Sequence, residues 1–275
     1  MKSGTTSLHE YLNEHPQIAM STEKEPGYFV EELSLDKDNS WYQSLFENTT
    51  NELYFGESST HYAKYPTYDG VAERIKNYNP EARLIYIMRD PFERMKSHYW
   101  HEVRAAHSGG EIHDIKTAIK LRSDYLDFSN YALQLEQYYK HFPKEQIHVI
   151  TFEELVKQPN KVTKEIYEWL QISAETDHSL EGQAFNSQPE QLQGAAGLGI
   201  LNKIQYSKTW EKISPFIPKT FKDTANKKAY KKIDKDKQNS QFKQLATELT
   251  PLFTNQTLKL KELTGRSFPE WPNYN

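Results

Sequence analysis

Apolar side chains recur along this chain with two periods, and the changes between them predict where helices and strands fall. Leu8, Tyr11 and Leu12 lie at helical spacing up to Pro16, after a run of glycine and hydroxyl residues suited to a turn and a helix start. Glu52 to Glu57 reads as a short strand. Arg83 to Met88 reads as a stronger one, its unbroken apolar run suiting burial on both faces. Val71, Ile75 and Tyr78 give helical spacing to residues 68–78, and a further helix follows Asp90-Pro91 through Met95, Tyr99 and Val103. Gln146 to Thr151 is another short strand, with helical stretches from Asn130 to His141 before it and from Lys161 to Leu170 after it. Strands separated by helices imply parallel pairing, so the expected fold class is α/β. Residues 183–199 show little periodicity and read as a loop, while Phe242 to Leu263 reads as a final helix closed by Gly265.

Composition narrows the function classes. The 275 residues carry 38 acidic and 34 basic side chains, a net charge of −4, which argues against a nucleic-acid coating protein and against a nucleic-acid partner. With 36% hydrophobic residues the chain can build a real core, and its length fits a single domain over 1–275. Cysteine is absent, which removes disulfides and thiolate metal sites. No apolar run of about 18 residues and no cleavable leader occur, so the chain reads as soluble and cytoplasmic, with no membrane partner. Charge is uneven: residues 203–243 hold twelve Lys against Glu211, Asp223, Asp234 and Asp236, a local +8 that leaves −12 elsewhere.

Two segments carry candidate chemistry. In Lys2-Ser3-Gly4-Thr5-Thr6-Ser7, N–H groups at a Gly-containing turn, the positive end of a helix, a lysine and three hydroxyls could hold an oxyanion. A capped helix after a flexible terminus accounts for the same residues equally well. The nucleotide-triphosphatase loop needs Gly-Lys-Ser/Thr; here Lys precedes Gly, which speaks against a P-loop-type nucleotide kinase. The second segment is Arg89 at the carboxyl end of the strand ending at Met88, where ligands of open parallel sheets bind and a guanidinium could grip a second phosphate. Its bland alternative is a structural clamp on Asp90 or another carboxylate.

Together these segments resemble the sulfotransferase superfamily, which moves a sulfuryl group from 3′-phosphoadenosine 5′-phosphosulfate (PAPS) to an acceptor, leaving 3′-phosphoadenosine 5′-phosphate. Lys2 to Leu8 resembles the 5′-phosphosulfate loop, and Ile87-Met88-Arg89-Asp90-Pro91 through Arg94 and Ser97 the 3′-phosphate element. Lys24-Glu25-Pro26-Gly27-Tyr28-Phe29 is similar to the segment bearing the catalytic carboxylate in the heparan-type branch. Gly56 to Ser59 with Tyr62, Val149 to Leu155 and the tail Leu263 to Trp271 resemble further landmarks. The implied fold is a P-loop-like three-layer arrangement with a central parallel sheet flanked by helices. Residues 1–170 would be the nucleotide-binding core and 180–275 a helical, Lys-rich C-terminal part.

The resemblance assigns roles. Lys2 would contact the bridging oxygen of the phosphosulfate, with Ser3, Gly4, Thr5, Thr6 and Ser7 forming the 5′-phosphate loop. Arg89 and Ser97 would hold the 3′-phosphate, and Phe152 would stack on adenine or serve as core. Glu25 would be the general base, with His61 the second candidate because another branch of the family uses a histidine near the equivalent strand. Sulfuryl transfer is an in-line displacement helped by positioning and charge stabilisation, and the scheme requires no metal. The chain departs from the pattern at two points: the family has a buried strand immediately before the phosphate loop, which here starts at residue 2, and no segment of 203–243 matches the usual Gly- and Arg-containing lid, where Lys227, Lys228, Lys231 and Lys232 could stand in for it or form a solvated helix face. The −12 outside that segment disfavours a polyanionic acceptor and favours a small-molecule hydroxyl or amine, in a pocket that Tyr28, Phe29, Trp41, Tyr42, Tyr62, Tyr65 and Trp100 could wall. The non-enzymatic alternative is a nucleotide-binding or interaction module derived from this fold.

Overall fold

Parallel strand pairs, each joined through helices, organise the chain. The computed structural model describes residues 2–47, 51–105, 113–174, 192–194, 230–232 and 235–274. The elements among them are α1 (Thr5–Asn13), β1 (Ile18–Met20), α2 (Asn39–Ser44), β2 (Tyr54–Gly56), α3 (Val71–Tyr78), β3 (Leu84–Met88) and α4 (Pro91–Ala105). They continue with α5 (Ile115–Leu121), α6 (Asp124–Asp127), α7 (Tyr131–Tyr139), β4 (Ile147–Thr151), α8 (Phe152–Lys157), α9 (Pro159–Leu170), β5 (Leu192–Gly194), β6 (Tyr230–Lys232) and α10 (Lys235–Thr264). Two compact units result, one of Met1–Met95, Leu126–Asn186 and Thr250–Asn275, the other of Lys96–Tyr125 and Ser187–Leu249.

In the first unit β1 pairs with β2, Ile18 opposite Tyr54, and β3 pairs with β4, Leu84 opposite Ile147 and Met88 opposite Thr151, both in parallel. Parallel neighbours cannot be joined by a tight turn, which is why helices intervene. Their starts are written locally. Asp90 accepts from the Glu93 N–H at 3.0 Å ahead of the proline that opens α4, Asn130 caps α7, and Thr151 and Glu154 form a reciprocal capping box at α8. Helices α1, α8 and α9 bury Leu8, Leu155 and Ile166 against Ile18 and Ile150 of the strands. The expected α/β class with helix-flanked parallel strands is what the structure has.

Residues 84–88 were expected to be buried on both faces, but only Met88 is; the other four are partly accessible. The reason is a cavity of about 710 Å³ lined by β2 and β3 together with Leu8 and Leu12 of α1. Among the described residues β2 and β3 each have one strand partner, and the two pairs form separate sheets.

In the second unit, α5 is capped by Asp114, and Tyr99 and Trp100 of α4 each pack on Phe242 of α10 at a centroid separation of 5.8 Å. Strand β5 pairs antiparallel with β6 inside the stretch expected to be a loop, because its partner lies far along the chain where no local periodicity announces it. Most of the Lys-rich segment, including Lys227 and Lys228, lies outside the described residues. No described helix is long and apolar enough to cross a membrane.

Ile166 is fully buried and Leu35 is 85% exposed. Ile166→Ala should lower unfolding free energy by about 2–5 kcal/mol, and Leu35→Ala by no more than about 0.5, both read from urea midpoints at constant slope.

Candidate active site

The site begins where the chain turns into α1. Lys2 and Gly4 both take left-handed backbone conformations, φ 69° and 85°, a geometry that turns N–H groups into an anion-binding concavity. Gly4 is the N-cap and supplies no capping side chain, so the first N–H groups of α1, which have no intrahelical acceptor, point toward the loop. Glycine is required twice over at this position. Its φ disfavours a side chain, and a Cβ there would lie 2.6 Å from the Phe152 ring. Thr5, Thr6 and Ser7 are half-buried in the first helical turn, and Ser3 is buried.

Arg89 leaves β3 directly beside this loop. Its Nη1 is 3.5 Å from the Lys2 carbonyl oxygen, its guanidinium lies 5.0 Å from the Phe152 ring centroid, and Glu93 is 3.7 Å from Nη2. The two segments singled out from the sequence therefore meet in space, with Phe152 between them touching both. Arg89 does have a nearby carboxylate, but on Glu93 and at a long distance rather than on Asp90. The tie between the segments is Tyr131 at the start of α7. Its hydroxyl donates to the Arg89 carbonyl at 2.8 Å, accepts the Arg89 N–H at 3.2 Å, and bonds the side chain of Ser3. Burial, the largest influence, pushes the Tyr131 hydroxyl up to about 12, so it stays a neutral hydrogen-bonding group. Trp271 stacks on Tyr131 and donates through Nε1 to Glu153 at 3.2 Å, and Glu153 accepts the Asp90 N–H at 2.9 Å. The tail landmark thus supports the Arg89 turn from behind.

Glu25 also has a left-handed backbone, φ 60°. Its N–H donates to the Ser58 carbonyl at 3.0 Å, Thr60 Oγ1 donates to Oε2 at 3.0 Å, and Lys24 Nζ approaches Oε1 at 3.2 Å. Burial pushes this carboxyl up, but Lys24, the Thr60 hydroxyl and His61 together outweigh it and hold Glu25 below the usual carboxylate range. Ser58 also links this turn to α1, since its Oγ lies 3.1 Å from His9 Nδ1. His61 is within electrostatic reach of Glu25; burial and Lys64 lower its pKa, and its Nδ1 is buried with no hydrogen-bond partner among the described residues.

Ser97 is buried on α4 and belongs to the second unit, as does Trp100. Arg94 is buried, its Nε donating to Ser129 at 2.6 Å. Of the aromatic residues considered as an acceptor wall, Tyr28 and Tyr42 stack at 4.3 Å, and Phe29 packs edge-on against Tyr42 at 5.4 Å. Tyr28, Phe29, Tyr42 and Tyr78 form a packed cluster, and of the seven wall candidates Phe29, Tyr42 and Tyr62 line the cavity. Among the described residues no group of His, Asp or Glu could hold a metal ion. Sequence reasoning missed Tyr131, because a tyrosine opening a helix carries no local signature of the two distant segments it joins; Glu153 and Trp271 lie in segments marked as resembling landmarks, but without a role.

The family model described as "Sulfotransferase domain" matches residues 1–250. The bifunctional heparan sulfate N-deacetylase/N-sulfotransferase 1 of Caenorhabditis briggsae is 28% identical over 191 residues, covering 62% of this chain and 22% of that protein. The heparan sulfate glucosamine 3-O-sulfotransferase 3B1 of Homo sapiens is 27% identical over 164 residues, covering 58% of this chain and 40% of that protein. The membrane-associated sulfotransferase kil1 of Dictyostelium discoideum is 39% identical over 102 residues, 36% of this chain and 21% of that protein. The matches thus cover 21–40% of the length of these relatives. A crystal structure of a sulfotransferase from Alicyclobacillus acidocaldarius shares the fold, with a TM-score of 0.68 at 22% identity over 98% of this chain and 95% of that one.

Gly4→Ala should destabilise the protein by about 1–3 kcal/mol through backbone strain and the Phe152 contact. In a double-mutant cycle its cost should shrink in the Phe152→Ala background, where the ring that a Cβ would meet is gone. Chemical denaturation of the four proteins measures both terms.

Proposed function

Because the chain belongs to the sulfotransferase domain family, we propose that it moves a sulfuryl group from PAPS to the hydroxyl or amine of a small acceptor, with Glu25 as general base. The observation that carries this reading is the 3.5 Å contact between Arg89 and the Lys2 carbonyl. It brings the turn before α1 and the Arg89 guanidinium side by side, an adjacency that supports the binding of one nucleotide carrying a 3′- and a 5′-phosphate. PAPS, when bound, supplies a sulfuryl group already activated by its anhydride link to a phosphate. The residues present suit such a group: a left-handed glycine with no room for a side chain, helix-end N–H donors, Arg89 opposite them, and Phe152 as an aromatic face.

In this reading the α1 N–H groups and the hydroxyls of Thr5, Thr6 and Ser7 hold the 5′-phosphate, and Lys2 offsets charge on the leaving oxygen. Arg89 grips the 3′-phosphate. Glu25 takes the acceptor's proton. Its lowered pKa keeps it ionised at neutral pH and so ready to accept. The same lowering makes it a weaker base, which the positioning of the acceptor must offset. His61, held neutral beside it, is the second candidate. The relatives' names point to heparan sulfate as their acceptor. The −12 outside residues 203–243 favours a small acceptor for this chain instead.

Purified protein given labelled PAPS with a panel of hydroxylated and amino metabolites and a heparan-type oligosaccharide should label a small acceptor. Glu25→Gln should cut turnover by about 10²–10⁴-fold, with calorimetric binding of 3′-phosphoadenosine 5′-phosphate intact; Lys2→Ala should also abolish transfer. Undiminished turnover in both variants would reject the assignment. An absence of heat with the nucleotide would favour a non-catalytic module.

A further inference from the structure

Glu57 follows β2, and its carboxyl lines the cavity between β2 and β3. One oxygen accepts from the Tyr62 hydroxyl, and the other accepts from Ser59 Oγ at 2.8 Å. Each hydroxyl has one hydrogen, and giving it to Glu57 leaves the hydroxyl oxygen free to accept. Both oxygens do accept, and from the same place: the Gly27 N–H donates to Ser59 at 3.0 Å and the Phe29 N–H donates to Tyr62 at 3.3 Å. These two N–H groups belong to the strip that starts at Glu25, whose own N–H is held by Ser58 and whose carboxylate is held by Thr60. Every one of these bonds therefore ends on the segment 57–62.

We propose that Glu57 is a positioning residue: by accepting hydrogen bonds from Ser59 and Tyr62 it fixes the two hydroxyl oxygens that hold the backbone after Glu25, and so sets where the Glu25 carboxylate points. The proposal rests on the reading of Glu25 as the base.

The ionised form of Glu57 serves this role best, because hydrogen bonds to a carboxylate are about twice as strong as neutral ones. A protonated carboxyl would bring a hydrogen of its own, forcing one hydroxyl to turn its hydrogen elsewhere. Enclosure by protein pushes Glu57 up to about 7, against the partial relief given by Tyr62 and Ser59. The groups facing it from other elements are phenols, Tyr42 of α2 and Tyr138 of α7, both pushed well above their ordinary range and neutral at these pH values. Arg94, which lines the same cavity, is engaged with Ser129. Glu25, held below the ordinary carboxylate range, cannot itself produce a transition near neutrality. The sign for stability is opposite. A folded-state pKa above the unfolded 4.5 means that the fold binds the proton more tightly, so ionising Glu57 destabilises the protein as pH rises from 4.5 toward 7.

The test is the pH profile of kcat in the full chain. Wild type should show an acid limb near pH 7, and Glu57→Gln should abolish that limb. At pH 8 the variant's kcat should fall about tenfold to a hundredfold, with KM for PAPS unchanged. Tyr62→Phe, which removes one of the bonds that lower the Glu57 pKa, should move the limb to higher pH and keeps the proposal testable if Glu57→Gln fails to fold. A limb that persists in Glu57→Gln, or fails to move in Tyr62→Phe, would overturn the positioning role. If Glu25→Gln abolishes turnover while Glu57→Gln matches wild type, only the positioning role falls; if Glu25→Gln turns over normally, the base assignment itself has failed.

Discussion

A single phenol holds the site in register. The Tyr131 hydroxyl bonds both the N–H and the carbonyl of Arg89 and also reaches Ser3 in the loop before α1. Those segments are more than eighty residues apart in sequence, and neither contains a feature that seeks the other. Arg89 leaves a parallel strand at its carboxyl end, where the chain must turn and its backbone groups lose their ladder partners. Tyr131 replaces that ladder, and the stacked Trp271 with Glu153 keeps Tyr131 and the Asp90 turn in place. The loop before α1 and Arg89 are adjacent because of this packing, so the geometry of the candidate site rests on a core contact.

The carboxylates around the site show how environment divides labour among identical groups. Glu25 has Lys24 beside it and Thr60 donating to it, and is held ionised. Glu57, enclosed by protein and bonded by the Tyr62 and Ser59 hydroxyls, is pushed toward neutrality. Glu154 closes a capping box and pairs with Arg266, whose guanidinium also reaches the Val149 carbonyl. Sequence alone presents all three as glutamates in polar stretches. The opposite pKa directions of Glu25 and Glu57 come from which partners the fold delivers, a cation and a hydroxyl to one and only hydroxyls in a desolvated setting to the other.

Much of the fold was legible along the chain. The apolar runs became β3 and β4 within a residue of their expected ends, and Asp90-Pro91 and Asn130 started α4 and α7 as their capping chemistry requires. Strand β1, three residues long, and strands β5 and β6 were not legible, since a pairing that short leaves no periodic trace. The turn into α1 was legible: Gly4 and the hydroxyl residues that follow it mark a helix start, and Gly4 takes the left-handed conformation there. Glu25 was recognisable only by resemblance, because Glu beside Lys is ordinarily a solvated pair.

What the sequence determined by itself was therefore local: the periods that make helices and strands, the caps that start them, and the donor-rich turn. Tertiary structure alone decided that Arg89 comes within 3.5 Å of Lys2, that Phe152 lies against Gly4, and that Glu57 meets the hydroxyls that hold the Glu25 turn. The physical reason is range. Propensity and capping act within a few residues, whereas burial, desolvation and hydrogen bonds between distant segments exist only once the chain has closed on itself.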